Sequence, residues 1–272
     1  MKAGKLHYGW VVIFMGLLTT IAAHGFGRMS YTIILPAMKD GLSFNYTQLG
    51  LLGTGNFIGY LTMAIVGGFM AARFGTRIVI TAGLVLMGIT MILTGLAQSF
   101  EFAFTMRLLT GLGNGAAFVP AMALGSAWFA VKKRGFATGI VSAGIGAGTF
   151  ISGLTVPPIL SAFSASGWRF SWYILGGAVL LISVIVFQFV RSNPQEKGLD
   201  QVGSEKNDEA QSGSPATEKG STAHWTVTVK PIVKYGSVWY LGVVYFFFGL
   251  SYIIYMFFFA GYLVKVIGLS QE

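Results

Sequence analysis

Two long runs without a charged residue limit most strongly what this chain can fold into. Asp40 and Arg73 enclose 32 uncharged residues, and Arg77 and Glu101 enclose 23. A helix needs roughly 20 residues, at about 1.5 Å each, to cross the hydrocarbon core of a bilayer. Both runs are therefore predicted to be membrane-spanning helices, and they meet at the short basic turn between Arg73 and Arg77.

The composition agrees with a membrane protein. Hydrophobic residues make up 54% of the chain, charged residues make up 10%, and the mean hydropathy is +0.70, which leaves too little polar surface for a water-soluble domain. The net charge of +9 would suit nucleic acid, but most Lys and Arg lie between predicted spans. Because short basic loops face the cytoplasm, we predict a multi-pass protein of the plasma (inner) membrane with a cytoplasmic N-terminus. The lipid bilayer is thus an expected partner, and nucleic acid is not.

The other apolar runs extend this pattern to an all-α, polytopic membrane protein. The predicted spans 1 to 7 cover residues 10–35, 48–70, 78–97, 103–128, 136–160, 170–190 and 238–264. Pro36 is predicted to open the loop that follows span 1, and Pro157 and Pro158 to close span 5. Trp168 and Trp172 are predicted to flank span 6 at the membrane surface.

Residues 192–234 differ in composition from the rest of the chain. They hold six of the nine acidic residues and three of the seven prolines. This composition is typical of a solvated, disordered segment. We therefore predict a six-span bundle over residues 1–191, a cytoplasmic linker over 192–234 and a seventh span within 235–272.

A short internal repeat relates span 1 to span 7. Tyr8-Gly9 and Gly41-Leu42-Ser43 bracket span 1, and Tyr235-Gly236 and Gly268-Leu269-Ser270 bracket span 7 at the same offset. Repeats of this kind are typical of transporters built from two related halves. On this interpretation the second half is incomplete, and the sequence predicts a truncated chain.

Two motifs resemble the major facilitator superfamily. The basic turn resembles the G-x-x-x-D-R-x-G-R-R/K loop between spans 2 and 3 of that superfamily, on Gly68, Arg73, Gly75 and Arg77. Span 4 resembles its R-x-x-x-G-x-G-x-G pattern, on Arg107, Gly111, Gly113 and Gly115. The resemblance implies a six-helix bundle, a linker and the first helix of a second bundle, with the turn at the inner gate. Ala72 replaces the motif's Asp, which in the family is thought to help latch that gate.

Charged residues inside the predicted spans are the main candidates for a site, because an Arg in mid-membrane costs roughly 2.5–3.5 kcal/mol on insertion scales. Arg28 shares a helical face with His24, Tyr31 and Thr32, because in chain order the four residues lie at i, i+4, i+7 and i+8. The alternative is that Arg28 extends to the outer headgroups. Arg107 is associated with substrate or proton coupling by the family resemblance, or is anchored near the outer surface. Further candidate lining residues are Asn56, Tyr60, Asn114, Tyr252 and Tyr255; an interhelical hydrogen bond is the alternative for Asn56 and Tyr60.

The nature of these charges indicates the substrate. None of the nine acidic residues falls inside a predicted span, so the spans offer only cations to a ligand. Tyr8-Gly9-Trp10, the two intramembrane Arg residues and the Gly-rich span 5 resemble the oxalate/formate antiporter and monocarboxylate-porter branches. The sequence therefore predicts a secondary active transporter of a small organic anion, namely a carboxylate, that works by alternating access with a coupling proton or counter-anion.

Other functions remain as alternatives. One is an exporter of hydrophobic, drug-like compounds from the same superfamily, and another is an inactive truncated fragment. A seven-helix receptor leaves the basic motif unexplained. The chain has no cysteine, and its spans carry neither a metal-ligand motif nor a set of catalytic side chains. We therefore predict no cofactor, no metal site and no enzyme activity.

Overall fold

The computed structural model describes residues 7–204 and 236–265, with side chains described as far as Ser251. The chain divides into two units, residues 1–208 and 209–272, each of which is considered by itself. The first unit holds six helices that are long and apolar enough to cross a membrane. In the second unit, the described residues form one helix, Gly236–Lys265, at the predicted position of span 7.

The six helices of the first unit confirm the predicted number of spans there. Spans 1 to 6 are Tyr8–Leu42, Tyr46–Phe74, Thr76–Gly95, Phe100–Trp128, Val131–Ala162 and Gly167–Phe189. Connections of only a few residues join most of them, so consecutive helices run in opposite directions. One end of the bundle carries the turns between spans 2 and 3 and between spans 4 and 5, with the start of span 1; we call it the basic end. In the described residues its cations are Arg73, Arg77, Lys132, Lys133, Arg134, Arg191 and Lys197.

Span 1 is longer than predicted and changes its helical form in the middle. It is α-helical over Tyr8–Thr20, π-helical over Ile21–Met29 and α-helical again over Ser30–Leu42. The prediction that a loop begins at Pro36 was wrong. Ile34 and Met38 lie one turn apart and are both fully buried, so packing keeps this region helical despite the missing backbone N–H of the proline.

Two further local predictions differ from the structure. Pro157 and Pro158 lie on an exposed side of span 5, and the helix continues past them to Ala162. Trp168 and Trp172 lie at the start of span 6, as predicted, but they are only 1% and 0% exposed, so they pack in the core of the bundle. Gly41 makes room for Trp168, because any side chain at this glycine would meet the indole ring.

Span 4 packs against its neighbours through the predicted glycine stripe. A Cβ on Gly115 would lie 2.6 Å from the backbone oxygen of Tyr60 in span 2, and Gly111 meets the same helix one turn earlier. A Cβ on Gly113 would lie 2.6 Å from the oxygen of Gly83 in span 3. Small residues allow helix backbones to approach this closely in membranes. These glycines therefore place span 4 at the centre of the bundle.

The segment that follows span 6 packs onto the basic end. Val202 forms a parallel bridge with Phe129: its N–H donates to the Trp128 oxygen at 2.9 Å, and its oxygen accepts from the Ala130 N–H at 3.1 Å. The side chain of Val202 is 8% exposed and fits against Gly9 at the start of span 1. The prediction of disorder was therefore wrong for residues 192–204. The rest of the predicted linker, 205–234, lies outside the described residues.

A polar substitution at Val202 tests this packing. We expect Val202→Asn to destabilise the protein by about 2 kcal/mol, because it places an amide in a buried apolar contact. Thermal unfolding of the detergent-solubilised protein measures the effect. Gln195→Asn, at an exposed position of the same segment, is the control. Equal unfolding temperatures for the two variants would show that residues 192–204 are not part of the stable bundle.

Candidate functional site

The basic turn has the backbone geometry that its motif predicts. Gly75 has φ +86°, a value that favours glycine. Arg77 donates from Nε to the Phe187 backbone oxygen at 2.7 Å and lies over the Phe187 ring, so it ties the turn to span 6. Arg73 is exposed, and its guanidinium lies 5.4 Å from the Phe74 ring centroid. The turn is therefore anchored to its own bundle through Arg77.

The glycines before the turn behave differently from each other. A Cβ on Gly67 would lie 3.4 Å from Ala116 of span 4, whereas Gly68 faces open space among the described residues. Glu196 lines the same cavity as Arg77, a space of about 310 Å³ at the basic end. An acidic residue from beyond span 6 thus lines the same cavity as Arg77, next to a turn in which Ala72 replaces the motif's Asp.

The middle of span 1 presents a second cationic site. Arg28 lies three residues beyond Gly25, the midpoint of the helix Tyr8–Leu42. It therefore lies in the middle third of this helix and is partly buried, whereas the alternative interpretation placed its side chain at the outer headgroups. Its guanidinium carbon is 4.0 Å from the Phe57 ring centroid and 5.2 Å from that of Tyr60, both in span 2. Aromatic faces stabilise a guanidinium electrostatically, so these rings hold Arg28 in a defined position.

His24 completes this site. Its Nε2 lies 3.3 Å from Nη1 of Arg28, and its ring is 4.1 Å from that of Phe118 in span 4. A guanidinium can only donate, so Nε2 must accept and the imidazole is neutral in this arrangement. We call the group the Arg28 cluster; it consists of His24, Arg28, Phe57, Tyr60 and Phe118. Its members come from three spans, and Arg28, Phe57, Tyr60 and Phe118 are each only partly buried.

The predicted polar face of span 1 is only partly present. Tyr31 is buried and donates its hydroxyl to the Leu49 oxygen at 2.7 Å. Thr32 is exposed and bonds back to Met29. The π-helix over Ile21–Met29 changes the angle between successive residues, so the spacing of a regular α-helix does not apply. His24 and Arg28 stay together, while Tyr31 and Thr32 lie elsewhere.

Arg107 lies inside the bundle. It is 1% exposed, so neighbouring helices enclose its guanidinium, which does not extend to the headgroups as the anchored alternative requires. Nη1 donates to the Gly27 oxygen at 3.2 Å, and the guanidinium carbon lies 4.6 Å and 5.0 Å from the ring centroids of Tyr31 and Trp172. Arg107 therefore connects span 4 to span 1 and span 6 inside the bundle.

The remaining candidates form interhelical hydrogen bonds or fall outside the described side chains. Asn56 donates to the Arg107 oxygen at 3.0 Å, which is the alternative that the sequence left open. Asn114 donates to the Ala23 oxygen at 2.7 Å, and both asparagines are buried. The side chains of Tyr252 and Tyr255 lie outside the described residues.

Phe57 and Phe118 were missed by the sequence analysis. Each stands near a predicted site residue, since Phe57 precedes Tyr60 by three positions and Phe118 follows Asn114 by four. Helical spacing thus carried a signal, but an aromatic residue in a span is usually packing. Their role is visible only once spans 1, 2 and 4 are brought together.

Comparison with known proteins defines the family. The model of the Major Facilitator Superfamily matches residues 17–272, nearly the whole chain. The chain belongs to the major facilitator superfamily. A solved structure of a bacterial homologue of the human lysosomal transporter Spinster, in an inward-facing and unoccupied conformation, has the same fold at a TM-score of 0.70 and 21% identity. The alignment covers 98% of this chain and 58% of that one.

Several relatives named as transporters share modest identity with this chain. The hexuronate transporter of Bacillus subtilis is 28% identical over 264 residues, covering 96% of this chain and 58% of the relative. The probable sulfoacetate transporter SauU of Cupriavidus necator is 28% identical over 220 residues, covering 78% and 50%. The glycerol-3-phosphate transporter of Haemophilus influenzae is 24% identical over 245 residues, covering 85% and 51%. The chain thus spans about half the length of these relatives.

Proposed function

We propose that this protein is a secondary active transporter of a small organic anion that carries a carboxylate. The observation that carries the proposal is the position of Arg28. Arg28 lies in the middle third of span 1 and is partly exposed, and its guanidinium is held over two aromatic rings of span 2. A planar guanidinium binds a carboxylate through two parallel hydrogen bonds. A substrate at this depth is accessible from either side by alternating access, with this bundle forming one side of the path.

The distribution of charge supports an anionic substrate. Asp40 and Glu101 lie in spans, but both are exposed and stand at the helix ends. In the described residues the middle of the bundle therefore offers a substrate cations and no carboxylate. Sulfoacetate, hexuronate and glycerol 3-phosphate, named for three relatives, are all anions. A cationic substrate would meet repulsion at Arg28.

Arg28 is a better direct ligand than Arg107 in this conformation. Arg107 is 1% exposed and already donates to Gly27, so a substrate reaches it only if the bundle rearranges. Its charge still raises the positive potential of the site. We propose His24, which contacts Arg28 directly, as the group through which a coupled proton acts; a counter-anion at Arg28 is the other form of coupling.

The basic end supports an orientation. Seven Lys and Arg side chains of the described residues lie there, whereas Lys39 and Arg169 lie at the opposite end. Because positive loops stay on the cytoplasmic side, we propose that the basic end and the N-terminus face the cytoplasm of the plasma (inner) membrane. Arg73 and Arg77 would then belong to the inner gate.

A panel of labelled substrates tests the proposed class. Proteoliposomes containing the native protein are compared for uptake of small carboxylates, of sugar phosphates and of a hydrophobic organic cation. We expect carboxylates to be taken up and to compete with one another, with uptake abolished when unlabelled carboxylate is in excess. Uptake of the cation that carboxylates do not inhibit would instead identify an exporter of hydrophobic compounds. Preference for sugar phosphates would support an anionic substrate but contradict the proposal that it is a carboxylate.

A further inference from the structure

The π-helix of span 1 is held by side chains from two other spans. The backbone carbonyls of every second residue from Ala23 to Gly27, those of Ala23, Gly25 and Gly27, each accept a hydrogen bond from outside span 1. The donors are Asn114 Nδ2 at 2.7 Å, Ser152 Oγ at 3.2 Å and Arg107 Nη1 at 3.2 Å. The first and third lie on span 4, and the second lies on span 5.

These contacts lie where water does not compete with them. Arg107 is 1% exposed, and Asn114 and Ser152 are 0% exposed. A hydrogen bond in such a place is costly to lose, because the remaining partner is left buried and unsatisfied. Span 5 also meets the π-helix through glycine, since a Cβ on Gly148 would lie 2.8 Å from Gly25 Cα. Spans 4 and 5 thus both pack against the π-helical segment of span 1.

A π-helix is rare, and short π segments inside α-helices are found mostly at functional sites. Here the segment runs over Ile21–Met29 and carries both His24 and Arg28. Conversion to a regular α-helix would shift the register by at least one residue, which rotates the side chains by about 100°. Arg28 would then leave the rings of Phe57 and Tyr60.

We infer that Arg107, Asn114 and Ser152 are positioning residues that keep residues 21–29 π-helical and so hold Arg28 at the substrate. They act through the span 1 backbone and do not touch the substrate. This role rests on the proposed function, because it concerns the same site. It also gives Arg107 a function that its burial permits.

Amide hydrogen exchange and transport kinetics together test this inference. In the native protein, Ser152→Ala and Asn114→Leu each remove one donor while approximately keeping its volume. We expect the amides of residues 24–30 to exchange about tenfold faster in each variant, as for the loss of one buried hydrogen bond. The KM for the transported carboxylate should rise about tenfold, with kcat changed less than threefold, since the site is misplaced rather than removed.

Thr110→Val is the matched control. Thr110 lies on span 4 between Arg107 and Asn114, is 0% exposed and pairs with Thr90 of span 3 at 2.9 Å, so its loss removes a buried hydrogen bond that span 1 does not share. We expect unchanged exchange at residues 24–30 and an unchanged KM. Equal acceleration of exchange in all three variants, or unaltered exchange in Ser152→Ala and Asn114→Leu, would overturn the inference.

The exchange measurement needs no substrate, so it separates the two proposals. Faster exchange at residues 24–30 in a protein that takes up no carboxylate would contradict the proposed function and uphold the structural role of the three donors. Carboxylate uptake with native exchange and native KM in both donor variants would uphold the function and contradict the positioning role.

Discussion

Replacement of Arg28 by Gln is expected to lower kcat/KM for carboxylate uptake about 100-fold, because it removes both the charge and the two-pronged hydrogen bond to the substrate. The loss should appear in binding as well as in transport. Arg28→Lys keeps the charge but not the planar fork, so we expect an intermediate loss of roughly tenfold. Uptake of the labelled acid by proteoliposomes measures all three proteins.

The control for this prediction is Lys39→Gln. Lys39 also lies in span 1, but it is near the end of the helix and pairs with the exposed Asp40 at 3.7 Å. Exposed pairs contribute little, so we expect uptake within a factor of about two of the native protein. Native kcat/KM in Arg28→Gln, or equal losses in Arg28→Gln and Lys39→Gln, would show that Arg28 does not bind the substrate.

The second large effect is expected at the contact between spans 3 and 6. Gly176→Ala should destabilise the bundle by roughly 1–3 kcal/mol, as overpacking does in other cores. Its Cβ would lie 2.8 Å from the Gly88 oxygen and 3.1 Å from the backbone nitrogen of Ile92, and helix backbones cannot yield as side chains do. Thermal unfolding in detergent and the yield of folded protein measure the change.

The neighbouring glycine provides the control for that variant. A Cβ on Gly177 would meet nothing within 4 Å. Alanine favours a helix over glycine by about 1 kcal/mol, so Gly177→Ala should be neutral or slightly stabilising. If the two variants unfold at the same temperature, spans 3 and 6 do not pack as described.

The number and type of the helices could be predicted because hydropathy acts over a whole span. Every run of about 20 apolar residues became a helix, and Gly75 took the backbone conformation that its position in the motif requires. Local signals failed where packing competed with them. Pro36 stayed helical and Trp168 was buried, because contacts with other spans outweighed the usual preference of each residue. Pro157 also stayed inside its helix, although it is exposed.

The site was only partly predictable for a related reason. His24, Arg28 and Tyr60 were identified as polar residues inside spans, and the structure brings them together. The π-helix has no simple sequence signal, since it depends on donors such as Asn114 and Ser152 that lie far away in the chain. The change in register it introduces separated Tyr31 from Arg28. Which arginine is partly exposed and which is buried was likewise fixed by the packing of the bundle.

A structure of the native protein with its transported carboxylate bound would test the central claim most directly. The account predicts that both carboxylate oxygens lie within hydrogen-bond distance of the Arg28 guanidinium, beside the rings of Phe57 and Tyr60. A carboxylate bound only at the basic end, near Arg73 and Arg77, would contradict it. So would a substrate that lies in the transport path without contacting Arg28.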